Sequence, residues 1–267
     1  MSMPFYVAPE QLMKDKADYA RKNIARGRPL LATIYDAGVL LAAENPSSTL
    51  RKISEIYDRI AFGAVGRFNE FDQLRMAGVR AADFKGYSYS REDVDARALA
   101  NTYAQYLGQV FTHEMKPMEV EILVAETGPA GGGGRDQLFH ILFDGTVFDE
   151  DRFSVLGGEA EAIHQRMKDA WTDGWELAAA LNAAISALAG PDRSLAPAEL
   201  EVAVLERART GRVFRRLDGE ELAGLVAPRP APDGAAGASE ASDSSDAPAQ
   251  PHGDDQHDGE GSDPADR

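Results

Sequence analysis

Few side chains in this sequence are placed to do chemistry, and they are dispersed. Histidines stand at His113, His140, His164, His252 and His257, on different elements or in the C-terminal stretch, and no two share a spacing that holds a metal ion. Each reads as a satisfied or solvated histidine. There is no cysteine, which excludes disulfides and thiolate zinc sites and suits a reducing cytosol. A glycine run, Gly131 to Gly134, invites a phosphate-loop reading. It lacks the Gly-Lys-Ser/Thr ending and no helix opens directly behind it, so a hairpin loop is the better account. What remains is Lys52 at the start of one β-type run and Glu44 at the end of another.

The elements that carry those two residues arrive together. Leu30–Tyr35 and Val39–Glu44 are aliphatic, β-branched runs joined by Asp36-Ala37-Gly38, the pattern of a tight hairpin. Lys52–Tyr57 and Arg59–Val65 follow, separated by Asp58 and closed by Gly66. The period then changes to that of helices over Arg67–Phe84 and Arg91–Glu114, with Lys85–Ser90 as connector and Ser90 as N-cap. Met118–Ala125, Gln137–Phe143 and Phe153–Leu156 read as strands. Ala160–Ala170 and Trp175–Ala189 read as helices, Leu200–Leu205 and Val213–Leu217 as paired strands, and Asp218–Val226 as a short terminal helix. At the other end, Pro9 opens an amphipathic helix that stops at Gly27. Strands and helices segregated in this way predict an α+β fold of stacked layers, two antiparallel sheets face to face with helices outside.

With 267 residues the chain is long enough for one large domain with a substantial core. The net charge of −16 argues against a general binder of nucleic acid, which needs a clustered basic face. Much of that charge lies in residues 228–267. From Ala231 onward ten acidic residues face Arg267 alone, and Leu, Ile, Val, Met, Phe, Tyr and Trp are absent. Such a stretch has too little apolar surface to offset its ordering entropy and is expected to be a disordered acidic tail. No apolar run reaches about 18 residues, and Met1 to Gln11 lacks the basic-then-apolar order of a secretory signal. A cytoplasmic protein without a membrane span or cofactor is the expectation.

The sequences AGVLLAAEN and RKISEIYDRIAFGAVGRFNEFDQLR are similar to the strand–lysine–strand–helix segment of proteasome subunits, and APEQLMKDKADYARKNIARG resembles the leading helix of their α type. The likeness is greatest to the actinobacterial α type and covers roughly residues 5–227. It implies a four-layer αββα sandwich of the N-terminal-nucleophile-hydrolase kind over residues 9–227. Peptidase members of that superfamily use a threonine freed by self-cleavage after glycine, whose own amine acts as base. The family register puts Arg28 where that threonine would stand, followed by Pro29, with Glu44 and Lys52 at the acid and lysine positions. Arg28 offers no nucleophile. Thr33 sits inside a strand, and the one Gly-Thr pair, Gly145-Thr146, lies in a turn. No catalytic residue is therefore expected.

The resemblance implies a non-catalytic subunit. Seven copies would form an outer ring on rings of catalytic β subunits, gate the passage of protein substrates, and dock a hexameric ATPase through its C-terminal tail. Lys52, with the Gly66 turn close by, is the residue it implies for receiving that tail's carboxylate. Residues 1–8, with Pro4, Phe5, Tyr6 and Val7 ahead of Pro9, are the implied gate; the Tyr-Asp-Arg that many α-type subunits carry near the start is absent. The alternatives are an autonomous amidohydrolase of the same fold and a soluble binding module with no protease partner. Loss of an N-terminal segment would mark the first, and failure to assemble with a β subunit the second.

Overall fold

Leu30–Tyr35 forms β1, turns at Asp36-Ala37, and returns as β2 over Gly38–Glu44, with Leu30 opposite Ala43 and Tyr35 opposite Gly38. The turn needs its glycine. Gly38 has φ +148°, and a Cβ there would lie 1.9 Å from the Leu205 carbonyl oxygen of the next strand. This hairpin is the centre of one sheet in a computed structural model that describes residues 8–129 and 134–226. On one side β1 pairs with β8 (Phe153–Leu156); on the other β2 pairs with β9 (Leu200–Glu206), which pairs with β10 (Phe214–Leu217). The second five-stranded sheet runs β3 (Ile53–Tyr57), β4 (Ile60–Gly66), β5 (Val120–Glu126), β6 (Gln137–Ile141) and β7 (Val147–Glu150). Every pairing is antiparallel.

Alternation along the strands explains how the layers stack. Leu30, Ala32, Val39, Leu41 and Ala43 point into the space between the sheets and meet Ile53, Ala61, Val65, Leu123 and Leu138. Their neighbours Leu31, Leu40 and Ala42 face the other way and pack under α4 (Ala160–Ala170) and α5 (Leu177–Ala189). On the second sheet Phe62, Ala64, Ile122, Val124 and Phe139 are covered by α2 (Phe68–Ser88) and α3 (Ala96–His113). Strands buried on both faces read as near-continuous apolar runs, which is why β1, β2 and β9 are so hydrophobic. The order helix, sheet, sheet, helix is the expected αββα sandwich.

The first helix, α1 (Pro9–Ile24), has Pro9 in its first turn, where a missing N–H costs nothing. It is more than a surface helix. Lys16 is buried, and its ammonium donates to the carbonyls of Phe111 and Glu114 at the end of α3, 3.1 and 2.6 Å away. Ala20 and Ile24 pack on Phe143. The short last helix is α6 (Gly219–Leu225).

Some boundaries differ from the sequence reading. Helix α2 does not stop at Phe84 but continues to Ser88, because Gly86 lets the helix pass close to the Tyr57 hydroxyl; a Cβ there would lie 2.1 Å from it. Ser90 caps only a 3-10 turn, Arg91–Asp93, and the cap of α3 is Asp95, whose carboxylate accepts from the Ala98 N–H at 2.8 Å. The strand at Val147–Glu150 is one whose position the sequence pattern does not assign. It is a four-residue edge strand with two exposed positions, a pattern too short to show a period. The glycine run, the gate segment and the acidic tail lie outside the described residues, apart from Gly134, Ala8 and Pro9.

Candidate functional site around Lys52

Three segments converge at one end of the first hairpin. The antiparallel register that starts β1 and ends β2 brings Pro29 against Glu44, whose N–H donates to the Pro29 carbonyl at 3.2 Å. Arg28 therefore stands beside Glu44, its Nε 3.7 Å from Oε1. Lys52 enters from the other sheet. It is one residue ahead of β3, and its carbonyl accepts from the Ala64 N–H at 3.0 Å, so the β3–β4 ladder extends to it. Its ammonium donates to the Arg28 carbonyl at 2.5 Å. Residues far apart in the sequence, Arg28, Glu44 and Lys52, are thus brought together as the family register implies.

The electrostatics are unequal. Glu44 is buried and gripped by Arg193, with Nη2 3.2 Å from Oε2, and that pairing holds the Arg193 guanidinium more basic than usual. Lys52 is half-buried. Burial pushes its pKa down to about 8, against the opposing pull of Glu201 and Glu44 and with the help of Arg28. Glu201 is the residue the sequence reading missed. It is 2 % exposed, and Oε2 accepts from the Lys52 N–H (2.8 Å) and Asn45 Nδ2 (2.7 Å) while Oε1 accepts from the Ile53 N–H (3.2 Å) and Arg216 Nη1 (2.8 Å). A carboxylate second in an otherwise apolar strand, Leu-Glu-Val-Ala-Val-Leu, was the available signal.

Gly66 lies on the far side of the same link. Its φ is +119°, and a Cβ would fall 2.0 Å from the Glu119 carbonyl oxygen. A Cβ on Gly27 would stand 2.5 Å from Val65 and 3.4 Å from the Gly66 nitrogen, so Gly27-Arg28 runs between Gly66 and Lys52. The start of α2 is not an empty anion site. Glu70 in its first turn accepts from the Glu119 N–H and from Lys116, both at 2.7 Å, and Arg67 lies 3.5 Å from both Glu70 and Glu119. Burial alone would raise Glu119, but Lys116 and Arg67 hold it below the usual carboxylate range.

The other candidates stay apart. Thr33 is fully buried in β1 and paired on both sides, its hydroxyl 3.3 Å from the Arg152 carbonyl. Thr146 sits in the turn before β7, its N–H on the Asp144 carboxylate. His113 bonds its own helix, His164 stacks on Phe153, and His140 lies 3.7 Å from Glu121. Among the described residues no group of His, Cys, Asp or Glu gathers to hold a metal, and no helix is long and apolar enough to cross a membrane. Of the gate residues only Pro9 is described; Pro4, Phe5, Tyr6 and Val7 lie outside the described residues.

An αββα sandwich whose first strand, second-strand acid and third-strand lysine meet at one end defines the architecture of N-terminal-nucleophile hydrolases and their relatives. Residues 24–205 match the family model described as proteasome subunit, and the chain belongs to that family. It is 59% identical over 230 residues to the proteasome subunit alpha of Acidimicrobium ferrooxidans, covering 86% of this chain and 98% of that protein. It is 55% identical over 242 residues to the one of Sanguibacter keddieii (89% and 93%), and 54% identical over 245 residues to the one of Xylanimonas cellulosilytica (88% and 98%).

Proposed function

We propose that this chain is a non-catalytic α-type subunit of a cytoplasmic 20S proteasome core, forming the outer heptameric ring on a β-subunit ring, gating the passage of protein substrates, and docking a hexameric ATPase. One observation carries this reading. Arg28 and Pro29, where the family register would put an N-terminal threonine, run in continuous chain from α1, with Glu44 and Lys52 around them. Arg28 has neither hydroxyl nor free amine. Its guanidinium is near Glu44 and its carbonyl accepts from Lys52, so the two groups that would assist a nucleophile surround a residue that has none to offer.

The docking role falls to Lys52 with the Gly66 turn. An ammonium on a four-carbon stem suits the C-terminal carboxylate of a partner's tail, and exposed Arg28 and Arg51 beside it add positive charge. Removing one partner of a desolvated charge pair costs roughly 2–5 kcal/mol, about 30-fold to a few thousand-fold in affinity per pocket. The test is co-expression with the β subunit, sizing and low-resolution imaging of the particle, then the ratio of ATPase-stimulated to unstimulated degradation for Lys52→Ala. A ring of particles whose ratio falls to about one supports the reading; a normal ratio moves docking elsewhere, and failure to assemble with the β subunit would sink the ring itself.

A further inference from the structure

The amine of Lys52 is held in a way that no other described lysine shares. Lys16 is locked onto the Phe111 and Glu114 carbonyls, Lys85 is paired with Asp95, and Lys116 with Glu70 and Glu119. Lys14, Lys22 and Lys168 are exposed on helices. Lys52 is half-buried with a single acceptor, the Arg28 carbonyl, and among the described residues no carboxylate lies within ion-pair distance of its Nζ. Glu201 already accepts from four donors, and Glu44 is held by Arg193. An amine that donates one N–H to a carbonyl has its lone pair turned away from that carbonyl. The neutral form therefore keeps its anchor and still presents a nucleophile.

We propose that Lys52 is a preferred acceptor of acyl groups from acyl phosphates or acyl thioesters, and that its acylation switches off docking of a partner's C-terminal carboxylate; the second half rests on the docking reading above. The lone pair of the neutral amine attacks the acyl carbonyl carbon and forms the C–N bond. The C–O bond to phosphate, or the C–S bond to the thiol, breaks with its electron pair, and one amine proton goes to solvent. No oxidant or metal is needed. Exposed Arg28 and Arg51 draw an anionic acyl phosphate to the place. The amide that results carries no charge and cannot pair with a carboxylate.

The advantage has a size. With the amine near pKa 8, about a quarter of it is neutral at pH 7.5, against about one part in a thousand for an ordinary lysine. Lower basicity gives back about half of that gain on a logarithmic scale, as it does for thiols, which leaves a preference of about ten- to thirtyfold.

The assembled α–β particle is treated with acetyl phosphate across about pH 6.5 to 9.5, and acetylation of each lysine is followed by peptide mass spectrometry. Lys52 is expected to react at least about tenfold faster than Lys14, Lys22 and Lys168 at neutral pH, and its rate to level off above about pH 8 while theirs keeps rising. Equal rates, or a Lys52 rate without the plateau, overturn the proposal. Particles fully acetylated at Lys52 are expected to lose activator stimulation. Persisting stimulation, where Lys52→Ala abolishes it, overturns the switch. If Lys52→Ala itself leaves stimulation intact, the docking reading fails and the switch with it, while the reactivity is judged on the mass spectra alone.

Discussion

The Lys52 ammonium donates to the Arg28 carbonyl at 2.5 Å, joining the residue just ahead of β3 in one sheet to the segment that leads into β1 of the other. Its titration has opposite signs in two readouts. Burial lowers the folded-state pKa to about 8 from an ordinary value near 10.5, so the unfolded chain binds the proton more tightly. Holding the charge therefore costs stability at neutral pH, and that cost is relieved as pH rises from about 8 to about 10.5. On the proposed docking role a partner's carboxylate needs the ammonium, so stimulation by the activator is expected to fall as pH rises above about 8. Replacing Lys52 by Met should raise the melting temperature more at neutral pH than at pH 10. Stimulation flat to pH 9.5 would exclude Lys52 as the charged partner.

Purified alone, the chain is expected to turn over no fluorogenic peptide and to keep Met1 or Ser2 at its N-terminus. Arg28-Pro29 offers no nucleophile, and freeing Thr33 would mean cutting β1 between its two partner strands. Mass spectrometry of the intact chain checks this. A species starting at Thr33 or Thr146 and cleaving peptides would overturn it.

The hairpin, the two sheets and the outer helices were legible in the sequence because periods of two and of about 3.6 residues are strong over Leu30–Gly66, Val94–Val110 and Trp175–Ala189. The meeting of Arg28, Glu44 and Lys52 was legible only through family register, since no periodicity relates residues on two different sheets. Glu201 showed only as a carboxylate in an apolar strand, with nothing to name its partners, and Arg193 left no signal. Their roles depend on β9 lying beside β2 and on the loop after α5 folding back over Glu44, both long-range pairings. Helix ends failed where one contact decides them, as Gly86 against Tyr57 carries α2 one turn beyond its apolar pattern.

Gly66→Ala is expected to destabilise the chain. The residue holds φ +119°, and the added Cβ would press on the Glu119 carbonyl at 2.0 Å. Strain from such a backbone angle is about 1–3 kcal/mol before the overlap is counted, and at about 2–4 °C per kcal/mol for a chain of this size the melting temperature should drop by several degrees. Thermal unfolding of the variant measures it. No change would mean that β4 and β5 separate freely at this point.

Deleting residues 2–8 is expected to raise peptide hydrolysis by the assembled particle. Met3, Phe5, Tyr6 and Val7 are largely apolar and directly precede Pro9, the first residue of α1, so in the proposed ring several copies around an axis would close a narrow pore. An unchanged rate rules out the plug.

Removing Ala231–Arg267 takes away ten acidic residues and no large apolar side chain. The melting temperature and ring assembly are expected to stay as they are, with any effect confined to how partners respond to the lost charge. A fall of several degrees in a thermal melt would show that these residues contribute to the fold.

The last prediction separates the scaffold of the Lys52 site from its charge. Glu201 joins three strands: its carboxylate accepts from the backbone of Lys52 and Ile53 at the start of β3, from Asn45 after β2, and from Arg216 on β10. Glu201→Ala leaves buried N–H groups and the Arg216 guanidinium without their acceptor, a loss of about 3–5 kcal/mol by the usual cost of breaking a buried pair. Glu201→Gln keeps one oxygen and the shape of the side chain but loses the charge facing Arg216, so it should unfold between the wild type and the Ala variant. Because Glu201 also favours the charged form of Lys52, its neutralisation in Glu201→Gln should shift the pH at which activator stimulation fades to a lower value. Denaturant unfolding gives the first order and a pH series of stimulated degradation the second. If Glu201→Ala unfolds like the wild type, the network is ornamental; if the pH midpoint does not move in Glu201→Gln, Glu201 positions Lys52 without setting its charge.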